Sequence, residues 1–279
     1  METREFLKRY AWVYLYVAAF FLGAAGLLRH SVVVAGPMGP LPVFPVIVID
    51  AGHGAPDGGA VGISGIREDE INLAVAKRLE AMLALLGYDT VMTRTGPDTV
   101  ATEGETIRQK KQSDLRNRVE QVNALASAVV VSIHQNHFGD SRYSGPQVFF
   151  ADGGEALAKT AQEALTAVLA PGSRRASKPA SGVYLMEHIA HPGILVECGF
   201  LSNPDEERRL ATPAHQKKIA AILAAVLLPA LQSARQRGIS SSCNSNLKQL
   251  MGAISVYATD HNGKWAIYYG GNEWYFILA

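Results

Sequence analysis

The run Val46–Glu70, VIVIDAGHGAPDGGAVGISGIREDE, restricts the fold more than any other stretch of this chain. Val46, Ile47, Val48 and Ile49 are consecutive β-branched residues, the signature of a strand buried on both faces. Asp50 ends that strand, a Gly-rich loop presents His53, and a second loop closes on Glu68 at the entrance to a helix. A histidine and carboxylates delivered to one strand end by short Gly-rich turns can hold a divalent metal.

The rest of the chain repeats the alternation. Apolar spacing predicts a helix over Glu70–Leu86, ended by Gly87 as a C-cap, and a strand over Tyr88–Thr93. Gly96–Ser113 is polar and reads as loop. A helix is expected over Asp114–Ala126, strands over Ala128–Ile133 and Gln147–Ala151, and a helix over Gly154–Leu169. Gly193–Cys198 is the last clear strand, and Pro213–Leu231 a long apolar helix. Strands alternating with helices argue an α/β fold, a mostly parallel sheet with helices on both faces. In such sheets ligands bind beyond the carboxyl ends of strands, where Asp50, His53, His134 and Glu197 all fall.

At the N-terminus, Ala11–Leu28 is an uncharged apolar run long enough to cross a bilayer, preceded by Lys8 and Arg9. It reads as a signal anchor over 1–30, with a cleaved signal peptide as the alternative, and places the following domain outside the cytoplasm at the membrane. The Pro- and Gly-rich segment 31–44 is a linker. A net charge of +1 gives no electrostatic reason to expect nucleic acid. Two cysteines, Cys198 and Cys243, make neither a disulfide framework nor a CxxC metal pair.

Taken singly the polar residues are weak signals. A histidine such as His134 at a strand end is more often a satisfied polar group than a ligand. Glu68 could simply complement a helix dipole. Glu197, inside the apolar run LVECG, is harder to dismiss, because an ionised carboxylate there is costly unless it serves a site. Together they offer a His/Glu/His ligand set with one carboxylate to spare, and catalytic zinc sites use three protein ligands and an open position.

The motifs DAGHG, GIREDEINLAVAKRL, SDLRNRVEQVN, VVVSIHQNHF and ILVECGFLSNPDEE, in that order, resemble the zinc-dependent N-acetylmuramoyl-L-alanine amidases across Val46–Leu228. The resemblance implies a six-stranded sheet flanked by helices. It also implies hydrolysis of the amide between the lactyl group of muramic acid and the L-alanine of the peptidoglycan stem. It makes His53, Glu68 and His134 the Zn2+ ligands and Glu197 the catalytic base, with the catalytic domain over 45–232. Zinc would then polarise the scissile carbonyl, and Glu197 would move a proton from water to the departing amine. IRQKKQSDLRNR and YSGPQVFF resemble more narrowly the amidases that help mature spore cortex, which implies a membrane-anchored enzyme and leaves room for an activator protein.

The other candidates rank lower. Asp50 becomes a residue that orients the loop, and Glu70 drops out on helix register. Asn72 and Asn136 could support the ligands or meet substrate. Arg67 or the cluster Arg108–Lys111 could meet stem-peptide carboxylates, but a solvated charge run is the plainer reading. His137 reads as a loop side chain, His188 and His191 as structural or rim residues, and Cys198 as a small buried residue. Residues 233–279 resemble a segment of pseudopilin-like proteins. Pro213–Tyr257 is expected to be largely helical with a break at Gly238–Asn244, and Gly270–Ala279 to be poorly anchored. The competing readings are a peptidoglycan-binding relative without activity, a zinc hydrolase of another amide, and a pseudopilin. The intact set His53, Glu68, His134 and Glu197 weighs against the first and last.

Overall fold

A computed structural model describes residues 45–260, 264–268 and 274–278. The signal anchor and linker expected at 1–30 and 31–44 lie outside the described residues. Among the described residues no helix is long and apolar enough to cross a membrane.

The sheet is built from β1 (Val46–Ala51), β2 (Thr90–Met92), β3 (Ala128–Asn136), β4 (Gln147–Phe150), β5 (Lys178–Pro179) and β6 (Gly193–Phe200). Its order is β2-β1-β3-β6-β4-β5. β2, β1, β3 and β6 run parallel, while β4 pairs antiparallel with β6 and carries β5 parallel to itself. The sheet is therefore six-stranded, as the resemblance implied, but mixed. The chain between β3 and β4 contains no helix, and a connection without a crossover helix turns the chain back on itself.

The helices are α1 (Glu68–Leu85), α2 (Ile107–Asn123), α3 (Glu155–Leu169), α4 (Tyr184–His188), α5 (Pro204–Leu210) and α6 (Pro213–Asp260). On one face Ile47, Ile49, Val131, Ile133, Ile194 and Val196 pack against α1, α3 and the first half of α6, through Leu79, Leu165 and Leu223 among others. The alternate residues Val48, Val130 and Leu195 point to the opposite face, where Val122 of α2 and Leu185 and Met186 of α4 cover them. Burying each Leu or Ile fully contributes about 1.5–3 kcal/mol, so both layers are firmly attached.

Beyond small shifts at element ends, two features differ from the sequence reading. α2 starts at Ile107 rather than Asp114, because Thr106 and Gln109 form a capping box: Gln109 N donates to Thr106 Oγ1 and Thr106 N to Gln109 Oε1. The polar first turns hide no apolar stripe, so only the cap marks them. α6 runs unbroken through Gly238–Asn244. One glycine costs a helix about 1 kcal/mol and Ser or Asn less, too little to interrupt an established hydrogen-bond ladder. Within the segment expected to be poorly anchored, Trp274–Leu278 form β8, which among the described strands pairs only with β7 (Lys264–Tyr268), antiparallel. The core described above belongs to the compact unit Pro42–Asn244; residues 245–260 and the β7–β8 hairpin belong to a second unit.

Candidate metal and catalytic site

β1 ends in Asp50 and Ala51, and the chain then turns sharply through Gly52, His53 and Gly54. His53 itself adopts a left-handed backbone (φ 59°) and Gly54 follows at φ 140°. That conformation is uncommon for a residue with a side chain and accompanies an imidazole set beside Glu68 and His134 at the strand ends. The loop is held there by two guanidinium groups. Arg94 donates to the carbonyls of Ala51 (2.8 Å) and Gly52 (3.0 Å), and Arg118 to those of Ala51 (2.8 Å) and His53 (2.7 Å).

Arg118 is almost fully buried and is balanced by Asp50 (2.6 Å) and Asp114 (2.8 Å). Asp50 accepts further bonds from Thr93 Oγ1 (2.7 Å) and Ser132 Oγ (2.5 Å). Burial would raise its pKa, but Arg118 and these hydroxyls bring it down to about 2. With both oxygens engaged by Arg118, Thr93 and Ser132, Asp50 braces the loop.

Glu68, the first residue of α1, reaches back across the strand ends. Its Oε1 meets His134 Nδ1 (2.9 Å), Gln135 N (3.1 Å) and Asn72 Nδ2 (3.3 Å). Its Oε2 accepts from Ala60 N (2.8 Å) and lies 3.3 Å from His53 Nε2. Burial alone would raise this carboxyl; the two imidazoles outweigh it and hold Glu68 well below the usual carboxylate range. The other nitrogen of His53, Nδ1, sits 3.1 Å from Asp57 Oδ2, which also pairs with Lys111 Nζ at 3.1 Å. Burial opposes a charged ring here, yet Asp57 and Glu68 carry the His53 pKa up to about 9.

The candidate donor atoms of His53, Glu68 and His134 all lie within 4.8 Å of one another. Two nitrogens and one carboxylate oxygen are a donor set that suits zinc, and the second nitrogen of His53 is oriented by a carboxylate, as in many zinc sites. Two glycines make the convergence possible. A side chain at Gly52 would run into the His134 ring, and one at Gly59 into Glu68 and His53.

Glu197 stands on β6 beside this group, its Cα paired with that of His134 on β3. Its Oε2 is buried without a hydrogen-bond partner. Burial raises its pKa to about 7, with His134 opposing and Glu68 adding to the rise. A carboxylate poised near neutrality and unengaged is equipped to accept a proton. It opens on a cavity of about 270 Å³ walled by His53, Lys111, Leu115 and Tyr184 among others.

The remaining candidates separate cleanly. Asn72 supports the site, its Oδ1 accepting from Gln135 Nε2 (3.1 Å) and its Nδ2 bonding Gly52 O (3.1 Å) as well as Glu68. Glu70 is exposed, and Arg67 is taken up by Asp69. His137 is exposed. His188 Nδ1 lies 2.8 Å from Tyr184 O, and His191 Nε2 lies 3.0 Å from Leu125 O. Cys198 is buried, which pushes its thiol far up and away from nucleophilic character. Asp57, Arg94 and Arg118 were missed by the sequence reading. Asp57, an acid among glycines four residues after a histidine, was visible as a possible orienting group. Arg118, a charge on the otherwise apolar stripe of Leu115, Val119 and Val122, was a comparable anomaly.

The N-acetylmuramoyl-L-alanine amidase family matches residues 47–228. The chain is similar to the germination-specific N-acetylmuramoyl-L-alanine amidase of Bacillus subtilis, with 38% identity over 179 residues, 63% of this chain and 75% of that protein. Among solved structures it is similar to the CwlD amidase of Clostridioides difficile in complex with the GerS lipoprotein, with 33% identity and a TM-score of 0.65, covering 68% of this chain and 99% of that one. It is also similar to the catalytic domain of CwlV, an N-acetylmuramoyl-L-alanine amidase from Bacillus (Paenibacillus) polymyxa, with 31% identity and a TM-score of 0.57, covering 67% and 98%.

Proposed function

Because the chain belongs to the N-acetylmuramoyl-L-alanine amidase family, we propose that it carries out that family's reaction as a zinc enzyme with Glu197 as its base. The reaction is hydrolysis of the amide between N-acetylmuramic acid and the L-alanine of the peptidoglycan stem. The observation that carries the zinc reading is the partnerless Oε2 of Glu197 beside the converging donors of His53, Glu68 and His134. An ionised carboxylate buried without a bond is unfavourable by itself, and it is intelligible as a group that finds its partner in the reaction.

His53, Glu68 and His134 would hold the zinc ion. When bound, the ion supplies Lewis acidity toward the scissile carbonyl and toward water. Asp57 orients His53, and the neighbours of Glu68 fix its carboxylate in place. Glu197 takes a proton from the attacking water and delivers it to the departing L-alanine amine, since an amine leaves readily only when protonated.

The similarity to a germination-specific amidase supports a role in spore cortex. The similarity to an amidase solved with a lipoprotein supports a lipoprotein partner. The uncharged run Ala11–Leu28 after Lys8 and Arg9 supports an anchor that keeps the domain outside the cytoplasm, where peptidoglycan lies. Digestion of purified peptidoglycan, analysed by mass, tests the reading. Stem peptides with a free L-alanine amine should appear, disappear with a chelator, return with zinc, and be absent for Glu197→Ala. Release that persists through complete metal removal would refute the zinc assignment.

A further inference from the structure

The substrate of the reaction described above is a polymer, and the cavity of about 270 Å³ beside Glu197 has room only for the reacting bond and its neighbours. The glycan must therefore run out of the cleft over the surface of the protein. The strands of the site set which surface comes next. His134 on β3 pairs with Glu197 on β6, and the pair beyond it is Asn136 with Phe200, across a shift of register. Two residues on β3 are matched by three on β6, the extra residue of a bulge. Plain alternation would turn Phe200 to the face opposite Glu197. The extra residue returns it to the side of Asn136, which shares a face with His134. Phe200 thus stands about 10 Å beyond Glu197 along β6.

Phe200 is buried, but the rings joined to it are not. Tyr143 lies 6.3 Å from Phe200 between ring centroids, and Phe138 meets Tyr143 edge to face at 4.7 Å. Phe138 is 52% exposed and Tyr143 46%. A single exposed apolar side chain is ordinary; two rings in contact beyond the catalytic strands form a patch. Among the described residues of the Pro42–Asn244 unit, the only other aromatic ring so exposed is Tyr184, in the wall of the cavity itself. The loop carrying both rings is pinned at three points. Phe138 N donates to Ser202 Oγ (3.1 Å), Asn203 Nδ2 to Ser141 O (2.8 Å) and Gly145 N to Glu206 Oε1 (3.0 Å). Rings on a held loop meet a ligand with little further ordering.

We propose that Phe138 and Tyr143 form a platform on which the glycan strand rests as it leaves the cleft. A pyranose ring carries C–H bonds on its faces and hydroxyl and N-acetyl groups around its edge. The face suits an aromatic ring, and Tyr143, an aromatic body with a hydroxyl tip, suits face and edge together. The nearby arginines are occupied: Arg142 pairs with Asp140, and Arg175 lies 5.1 Å over the Phe200 ring and donates to Ser144 O. This favours the uncharged glycan over the carboxylate-bearing peptide. The proposal rests on the amidase reading and adds the surface that carries the sugar chain.

The test uses the full zinc-loaded enzyme and glycan strands from disaccharide to octasaccharide, all bearing the same stem peptide. In the wild type kcat/KM should rise about tenfold with length, the size of a favourable aromatic contact. The double variant Phe138→Ser, Tyr143→Ser should flatten that rise through KM, with zinc affinity and thermal midpoint as in the wild type, and Phe138→Tyr should keep it. A second measurement needs no turnover: Glu197→Gln should bind strands stripped of their peptides, and adding the two serine substitutions should abolish that binding. No dependence on length in the wild type, or an equal loss at every length in the double variant, would overturn the proposal. A double variant that keeps the length response and binds stripped strands would also overturn it and assign the patch to a protein partner. Failure of the wild type to release any peptide with a free L-alanine amine, while stripped strands still bind through the two rings, would instead count against the amidase activity.

Discussion

His134 and Glu197 face each other as direct Cα partners on the adjacent parallel strands β3 and β6. The candidate ligand and the candidate base are therefore fixed relative to each other by the hydrogen-bond ladder of the sheet. Neither depends on a loop for its backbone position, and this rigidity is what a proton acceptor beside a metal requires.

Replacing Glu197 with Gln should lower kcat about 10²–10⁴-fold, the range for loss of a general base. The fold should be unharmed, because the amide fits the same space without a charge. Peptide release and the thermal midpoint, measured together, check both halves.

Zinc affinity should rise with pH. His53 binds metal only when neutral, and its partners carry its pKa up to about 9 in the metal-free chain, so protons compete with metal below that value. The apparent Kd, measured by competition with a chelator, should tighten steadily from pH 6 to pH 9. Asp57→Asn should weaken binding at high pH and flatten this dependence.

The metal-free chain should lose stability as pH rises from about 5 to 9. Glu197, raised to about 7, holds a proton in the fold that the unfolded chain gives up near its ordinary carboxylate value, so stability falls through that interval. His53, raised to about 9, contributes stability that is full below its ordinary pKa and lost as pH climbs through 9. Denaturant midpoints across this range check the slope, and Glu197→Gln should remove its lower part.

Arg118→Met should destabilise the chain by about 3–5 kcal/mol, since it strands the buried carboxylates of Asp50 and Asp114. Chemical denaturation gives the value. Asp50, held down to about 2, should keep its share of the pairing until pH falls from about 4 toward 2.

Gly52→Ala should abolish activity with little change in overall stability. The new methyl would displace the His134 ring and spread the donor set. Zinc affinity and the thermal midpoint, compared with the wild type, separate this from general unfolding.

The parts of the molecule legible in sequence were those whose local pattern and global role coincide. Val46–Ile49 are apolar throughout, and Ala128–Ile133 apolar but for Ser132, because both faces of their strands are covered. His53, Glu68, His134 and Glu197 stood out because motif, strand end and polarity agreed. Arg94 was illegible as a support because its partners are backbone carbonyls, which every residue has, so no pairing rule can point to it. Arg118 left a trace, a charge on an apolar stripe four residues after Asp114, but nothing local marks its reach to Asp50 and the loop carbonyls. β5 escaped because two residues carry no periodicity, and the early start of α2 because a capping box of exposed residues leaves no apolar trace.

The carbonyls of Ala51, Gly52 and His53 are gripped by Arg94 and Arg118, and Arg118 is itself neutralised from Asp50 on β1 and Asp114 on α2. Transplanting the site into another α/β scaffold would therefore require more than the four residues His53, Glu68, His134 and Glu197. A graft that carried those four without the two arginines and their counter-charges would reproduce the inventory of the site on a loop free to swing away, and would bind metal loosely while catalysing nothing.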